Sequence, residues 1–236
     1  MSKTYKHVFF DLDHTLWDYE TNAKQTLIEL FDKYELDQYG IKSGQSFYDA
    51  FSKVNDQLWD LFNVGKITKF ELRDRRFRET FERSGAIMKL IPTDLLSSIG
   101  SVFIKECSKK SVTFEGAKEI LEYLQPKYPL HIITNGFEET QSIKLKSSGL
   151  LHFFDQIITS EKAGFKKPFS GIFTYAMKHA NAVPEGSIMI GDNLMTDIKG
   201  ARDFKIDTIY FNPENKAHKH EVTYEVKSLI EIQNIL

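Results

Sequence analysis

The stretch Val8-Phe9-Phe10-Asp11-Leu12-Asp13-His14-Thr15 decides the fold. Three apolar residues followed at once by acids are too few for a helix and read as the end of a buried strand. An apolar strand that runs into carboxylates costs desolvation free energy unless a cation or a reaction lies at that end. Residues two apart in a strand share a face, and past the last ladder bond the chain turns, so Asp11 and Asp13 both reach one crevice. Two carboxylates that close repel each other, and the pair calls for a divalent metal or a shared proton.

Further along the chain the same pattern recurs. Leu130-His131-Ile132-Ile133 ends in Thr134-Asn135-Gly136, Ile157-Ile158 ends in Thr159-Ser160, and Ser187-Ile188-Met189-Ile190 ends in Gly191-Asp192. Thr208-Ile209-Tyr210-Phe211 adds another strand, and Ser228 with Glu231 reads as a capping box opening a last helix. Helical stretches separate the strands at 117–124, 139–148 and 172–180. Strands alternating with helices predict an α/β fold, a Rossmann-like doubly wound parallel sheet with helices on both faces. Ligands in such sheets sit outside the carboxyl ends of the strands, where these polar residues fall.

Between the first strand and the others the spacing turns helical. Leu27, Leu30, Phe31 and Tyr34 form one apolar stripe, and Phe47, Phe51, Val54, Leu58 and Leu61 a second. Phe70, Phe77 and Phe81 mark a third helix, and Leu95, Ile99, Val102 and Phe103 a fourth, entered after Pro92. Four amphipathic helices in succession predict a small bundle. The expected domains are a core of residues 1–16 plus 106–236 and a helical cap of residues 17–105, with joints near 16–18 and 107–112. Connectivity alone makes the insert a lid over the crevice. Its arginines Arg73, Arg75, Arg76 and Arg78 are interleaved with Asp74 and Glu79 and read first as a solvated face, second as a contact for the polar end of a substrate.

With 236 residues, 41% of them hydrophobic, the chain can bury a sizeable core. A net charge of −2 gives no general attraction to nucleic acid polymers or anionic membranes. Any bound anion must be held locally. The single cysteine, Cys107, excludes an intrachain disulfide, no apolar run reaches membrane length, and no signal-peptide core precedes Asp11, so the expected compartment is the cytoplasm.

Asp11, Asp13, Thr15, Thr134, Asn135, Lys167, Asp192 and Asp197 collect at the carboxyl end of the expected sheet. The carboxylates form an all-oxygen set for a hard cation, and magnesium takes few protein carboxylates, often together with a substrate phosphate. Paired Cys or His spacing for zinc is lacking. His218 and His220 read as solvated loop residues, and His14 as pointing outward from its turn.

Here the sequence resembles a family. Asp11-Leu12-Asp13-His14-Thr15 matches the DxDxT signature of the haloacid dehalogenase-like (HAD) phosphohydrolases, followed in order by Thr134, Lys167-Pro168 and Gly191-Asp192-Asn193-Leu194-Met195-Thr196-Asp197 as the GDxxxxD element. The helical insert after the first motif is similar to that family's type-one cap. The resemblance implies that Asp11 attacks phosphorus, Asp13 is general acid and base, and Mg2+ is held by Asp11, the Asp13 carbonyl and Asp192. It implies further that Lys167, Thr134 and main-chain amides around Asn135 and Gly136 hold the phosphoryl oxygens. Thr15 and Asp197 support them, Asp197 by fixing metal waters or Lys167.

Two longer stretches, Val54-Asn55-Asp56-Gln57-Leu58-Trp59 continuing through Gly65-Lys66-Ile67-Thr68 to Arg76-Phe77, and Ile133-Thr134-Asn135-Gly136-Phe137 with Leu145 and Gly149-Leu150, look like the YjjG/YfnB-type pyrimidine 5′-nucleotidases. That resemblance implies a small phosphomonoester substrate, a pyrimidine nucleoside monophosphate, noncanonical ones included. Trp17, Trp59 and Phe62 are candidates to stack a base, although aromatic residues on amphipathic helices usually belong to the core. The pattern departs at His14 and Trp17, both where the lid joins the site, so the substrate follows less directly from the resemblance than the chemistry does. The same machinery would also serve a sugar-phosphate phosphatase or a phosphomutase. From another class, a phospho-aspartate signalling switch shares the carboxylates, Thr and Lys but needs neither Asp13 nor a helical insert.

Overall fold

The apolar run before Asp11 becomes the strand at which the sheet changes direction. In chain order the elements of the computed structural model, which describes residues 4–236, begin with β1 (His7–Phe10), α1 (Tyr19–Lys33), α2 (Gly44–Asn63), α3 (Lys69–Arg83) and α4 (Thr93–Cys107). They continue with α5 (Ala117–Leu124), β2 (Leu130–Thr134), α6 (Glu138–Ser147), β3 (Gln156–Thr159), α7 (Ser160–Ala163), α8 (Ser170–Ala180) and β4 (Ser187–Gly191). A π-helical segment over Leu194–Lys199, α9 (Gly200–Asp203), β5 (Asp207–Phe211), β6 (Tyr224–Val226) and a 3₁₀ helix over Leu229–Asn234 complete the chain.

Glu20–Lys110 forms one compact unit, and the chain up to Tyr19 together with Ser111–Leu236 forms a second. Both divisions fall a few residues later than the expected 17 and 105, so Trp17 and Asp18 group with the sheet: Trp17 bridges to Asp13 and Thr113, and the Asp18 N–H donates to the Val112 carbonyl at 3.1 Å. Among the described residues no helix is long and apolar enough to cross a membrane.

The sheet is wholly parallel, in the order β3-β2-β1-β4-β5-β6. The chain therefore runs from β1 to one side and later returns to the other, which opens a crevice at the carboxyl end of β1. Strands covered on both faces need continuous apolar runs rather than alternation, and every residue of β2 and β4 is buried. Ile172, Phe173, Ala176 and Met177 of α8 pack one face of the sheet against Phe9, Ile133, Ile158 and Met189. The sequence reading missed β6 because three residues, two of them exposed, carry no periodicity. Ser228 and Glu231 do form their capping box, but the turn it opens is the 3₁₀ helix rather than an α-helix.

In the unit Glu20–Lys110, capping boxes start α2 (Ser43 with Ser46) and α3 (Thr68 with Glu71). Phe51 of α2 meets Phe77 of α3 at 5.5 Å and Phe103 of α4 at 4.8 Å between ring centroids. Phe70, expected on this stripe, is instead exposed in the first turn of α3. The arginine run also divides. Arg75 pairs with Glu79 at 2.6 Å on the surface as the i,i+4 spacing predicts, whereas Arg76 is 4% exposed, its guanidinium over the rings of Phe51, Phe77 and Phe103 and 3.4 Å from Asn55 Oδ1. The solvated reading fails for Arg76 because its planar cation lies against aromatic faces rather than toward water.

At the other end of β1, His7 Nδ1 lies 3.1 Å from His131 Nε2, so one nitrogen donates and the other accepts. His131 is 2% exposed, and its Nδ1 is buried without a hydrogen-bond partner. Burial first, and then the nearby His7, push its pKa from 6.5 down to about 4. Between these values the unfolded chain binds the extra proton, so stability is present above pH 6.5 and is lost as the pH falls. Urea unfolding at pH 7 and pH 5 is expected to show a loss attributable to His131 of about 1–2 kcal/mol, which His131→Leu removes. An equal loss in the variant would contradict the assignment.

Candidate active site

Asp11 extends the sheet by one residue, its N–H donating to the Ile190 carbonyl of β4 at 2.8 Å. The chain then turns tightly: the Leu12 carbonyl accepts from the N–H groups of Leu16 at 3.0 Å and Trp17 at 2.9 Å, and His14 adopts a left-handed φ of 64°. This turn puts Asp13 and the fully buried Thr15 beside Asp11, and the Thr15 hydroxyl donates to Asp192 at 3.0 Å. His14 does not simply point outward. Its ring packs 5.0 Å from that of Tyr19.

Lys167 comes from the loop between α7 and α8, whose main chain Asn135 holds twice: Asn135 Oδ1 accepts from the Lys167 N–H at 2.8 Å, and Nδ2 donates to its carbonyl at 2.9 Å. The Asn135 side chain, expected near the phosphate, is thus committed to Lys167. Lys167 is 2% exposed and directs its ammonium at Asp11 Oδ1 (2.6 Å), Asp197 Oδ1 (2.7 Å) and the Ile133 carbonyl (2.7 Å). The preceding Lys166 is half-buried.

Two glycines make this approach possible. A side chain on Gly191 would collide with Asp197, and a Cβ on Gly200 would come 2.8 Å from Pro168 Cα, so both segments close on Lys167 only as glycine allows. Asp197, 1% exposed, also accepts from the Asn193 N–H at 3.1 Å and the Thr196 hydroxyl at 3.2 Å. Its oxygens are occupied by donors, and it anchors Lys167.

Two carboxylates, Asp11 and Asp197, thus bind one ammonium, and Asp192 offers an oxygen within 4.8 Å of theirs. Burial, with Asp197 and Asp192 adding to it, raises the Asp11 pKa well above the ordinary value despite the opposing pull of Lys167. Asp192 is pushed up to about 6, by burial first and by Asp197, against the pull of His14, Thr15 and Lys167. Burial opposes the charge of Lys167, but Asp11 and Asp197 outweigh it and raise its pKa. The cluster carries more negative than positive charge, which is the condition a hard cation relieves. Asp11, Asp192 and Asp197 each offer an oxygen within 4.8 Å of the others, and since Asp197 is spent on Lys167 and main-chain donors, Asp11 and Asp192 fit Mg2+ as side-chain ligands.

The sequence reading missed the contribution of α6 to the site. Its Gln141 is fully buried and Lys144 is 7% exposed. Gln141 Nε2 donates to Asp13 Oδ2 at 2.9 Å and to the Thr134 hydroxyl at 3.0 Å, while Lys144 Nζ donates to Asp13 Oδ1 at 2.6 Å and lies 4.6 Å from the Trp17 ring. Burial raises the Asp13 pKa, but the Lys144 charge and the bonds from Gln141 and Lys144 overcome it and bring it below its ordinary value. Gly136 must be glycine because Gln141 passes where its side chain would stand, and its N–H, expected to face an anion, donates to Thr134 Oγ1 at 3.0 Å. With two donors on its oxygen, Thr134 has its own proton left to give. The signal available in the sequence was the polarity of 138–147, where Ile143 and Leu145 are too few to cover a sheet.

Residues 8–211 match the haloacid dehalogenase-like hydrolase family. The chain is 31% identical to YfnB of Bacillus subtilis, covering 99% of this chain and 96% of that protein. It is 30% identical to pyrimidine 5′-nucleotidase PynA of Streptococcus pneumoniae (98% and 95% covered) and 29% identical to pyrimidine 5′-nucleotidase YjjG of Escherichia coli (97% and 96% covered). The crystal structure of YfnB, bound to magnesium, superposes with a TM-score of 0.86 over 99% of each chain. With the sheet order, the acid cluster and the match over 8–211 in agreement, the chain belongs to the haloacid dehalogenase-like hydrolases.

Proposed function

We propose that the protein is a magnesium-dependent phosphomonoesterase working through an aspartyl phosphate, and that its substrates are pyrimidine nucleoside 5′-monophosphates, noncanonical ones included. One observation supports the reading: Asp11 meets Asp192 and Asp197, far from it in sequence, in one acid cluster at the switch point of the sheet, and the buried Lys167 pairs with Asp11 and Asp197. The nucleotide assignment is supported by the similarity to two proteins named pyrimidine 5′-nucleotidases along nearly the whole chain.

In the first step an Asp11 oxygen bonds to phosphorus, the ester O–P bond breaks, and the Asp13 carboxyl gives its proton to the departing oxygen. In the second, water bonds to phosphorus, the Asp11 O–P bond breaks, and Asp13 recovers a proton from the water. The Thr134 hydroxyl proton and Lys167 are the donors for the phosphoryl oxygens, Lys167 exchanging one of its present partners for them. Mg2+, held by Asp11, Asp192 and the Asp13 carbonyl, supplies when bound the positive charge that offsets repulsion between carboxylate and phosphate. A dehalogenation needs no acid for its departing halide, so the presence of a second carboxyl group at Asp13 favours phosphate esters over haloacids.

Asp11→Asn is expected to lower phosphate release from uridine 5′-monophosphate by on the order of 10³-fold or more, with an unfolding midpoint at least that of the wild type, since one member of a repelling acid cluster is neutralised. Wild-type turnover by this variant would remove Asp11 from the chemistry. Chelation with EDTA is expected to abolish phosphate release and added magnesium to restore it; turnover indifferent to chelation would contradict the metal assignment.

A further inference from the structure

Helix α6 buries a mostly polar face, made of Thr140, Gln141 and Lys144 with Leu145. A buried lysine costs several kcal/mol unless it is paired, and an apolar residue of similar size would anchor the helix more cheaply. Lys144 has found a carboxylate, and that carboxylate belongs to Asp13. Gln141 reaches the other oxygen of the same carboxyl group, at 2.9 Å, by a path that only a glycine at 136 leaves open. One donor on each oxygen fixes both the position of the Asp13 carboxyl and the rotation of its plane. Gln141 also donates to Thr134, so a single amide ties the carboxyl to the hydroxyl of the neighbouring strand. The Trp17 ring beneath Lys144 limits where its ammonium can swing.

We propose that Gln141 and Lys144 are positioning residues that hold the Asp13 carboxyl where it faces the departing oxygen of the substrate, in register with the phosphoryl group gripped by Thr134. The inference rests on the phosphomonoesterase reading. Neither residue gives up a proton. The contacts seen are those of the Asp13 carboxylate, the form it takes once its proton has passed to the leaving oxygen; when water attacks, the proton returns to Asp13 and the two donors remain beside the carboxyl group. Such a hold matters only where a proton must be delivered, because a misplacement of about 1 Å costs roughly 10²-fold in an oriented transfer.

The test compares two esters in one protein. Departure of an alkoxide from uridine 5′-monophosphate requires a proton, whereas p-nitrophenolate from p-nitrophenyl phosphate departs without one. Lys144→Met and Gln141→Leu, assayed with saturating magnesium, are expected to lose about 30- to 100-fold in kcat on the nucleotide with KM within about threefold, and about tenfold less on the aryl ester. Lys144→Arg, which keeps the charge and the donors, is expected to recover most of the nucleotide rate. The ratio of the two rates does not depend on how much of a variant is folded, so partial misfolding leaves it readable. Equal loss on both esters, or a change confined to KM, would make these residues structural anchors and overturn the inference. A wild-type protein inert toward both esters would overturn the phosphomonoesterase reading itself, and this inference with it.

Discussion

One ammonium set among buried carboxylates is the constraint on which the rest of the site depends. Lys167 and Asp197 are almost wholly withdrawn from water, and Asp11 nearly so. Breaking such a set by removing its cation leaves uncompensated buried charge, a penalty of about 3–5 kcal/mol. The surrounding chain is built to keep the lysine in place. Asn135 grips its main chain at both polar groups, Gly200 lets the following segment close against Pro168, and Gly191 leaves room for Asp197. Even so the acids outnumber the lysine, and the raised pKa values of Asp11 and Asp192 express that excess.

The sheet order explains why these residues meet. β1 lies between β2 and β4, so the residues just past three strands distant in sequence open on one rim: Asp11 and Asp13 from the first, Asn135 from the second, Asp192 from the third. Two acids on this rim have opposite surroundings. Asp11 sits among other acids, and Asp13 is held on both oxygens by donors from α6. What separates the two is geometry: Asp11 faces Lys167 and the acid cluster, while the Asp13 carboxyl is fixed in position by two donors from one helix.

Much of this was legible in the sequence, for physical reasons. Strands buried on both faces leave continuous apolar runs, and polar residues at their carboxyl ends mark the rim, so β1 to β5 and the acids could be read directly. The features that stayed hidden depended on contacts between distant residues. Arg76 looks like its charged neighbours until the rings of Phe51, Phe77 and Phe103 surround it. Lys144 and Gln141 look like solvent-facing helix residues until Asp13 is placed opposite them. Gly136 suggested an anion-binding turn, when its missing side chain makes way for Gln141. Short edges such as β6, and the choice between 3₁₀ and α geometry after Ser228, carry too little periodicity to be read.

The central claim is that the phosphoryl group passes through Asp11. Quenching the protein in acid during turnover of a nucleoside monophosphate, reducing it with borohydride and sequencing the peptides by mass spectrometry tests this most directly. An acyl phosphate on Asp11 would be recovered as homoserine at that position, and at neither Asp13 nor Asp192. Modification at another carboxylate, or none while phosphate is being released in a burst, would contradict it.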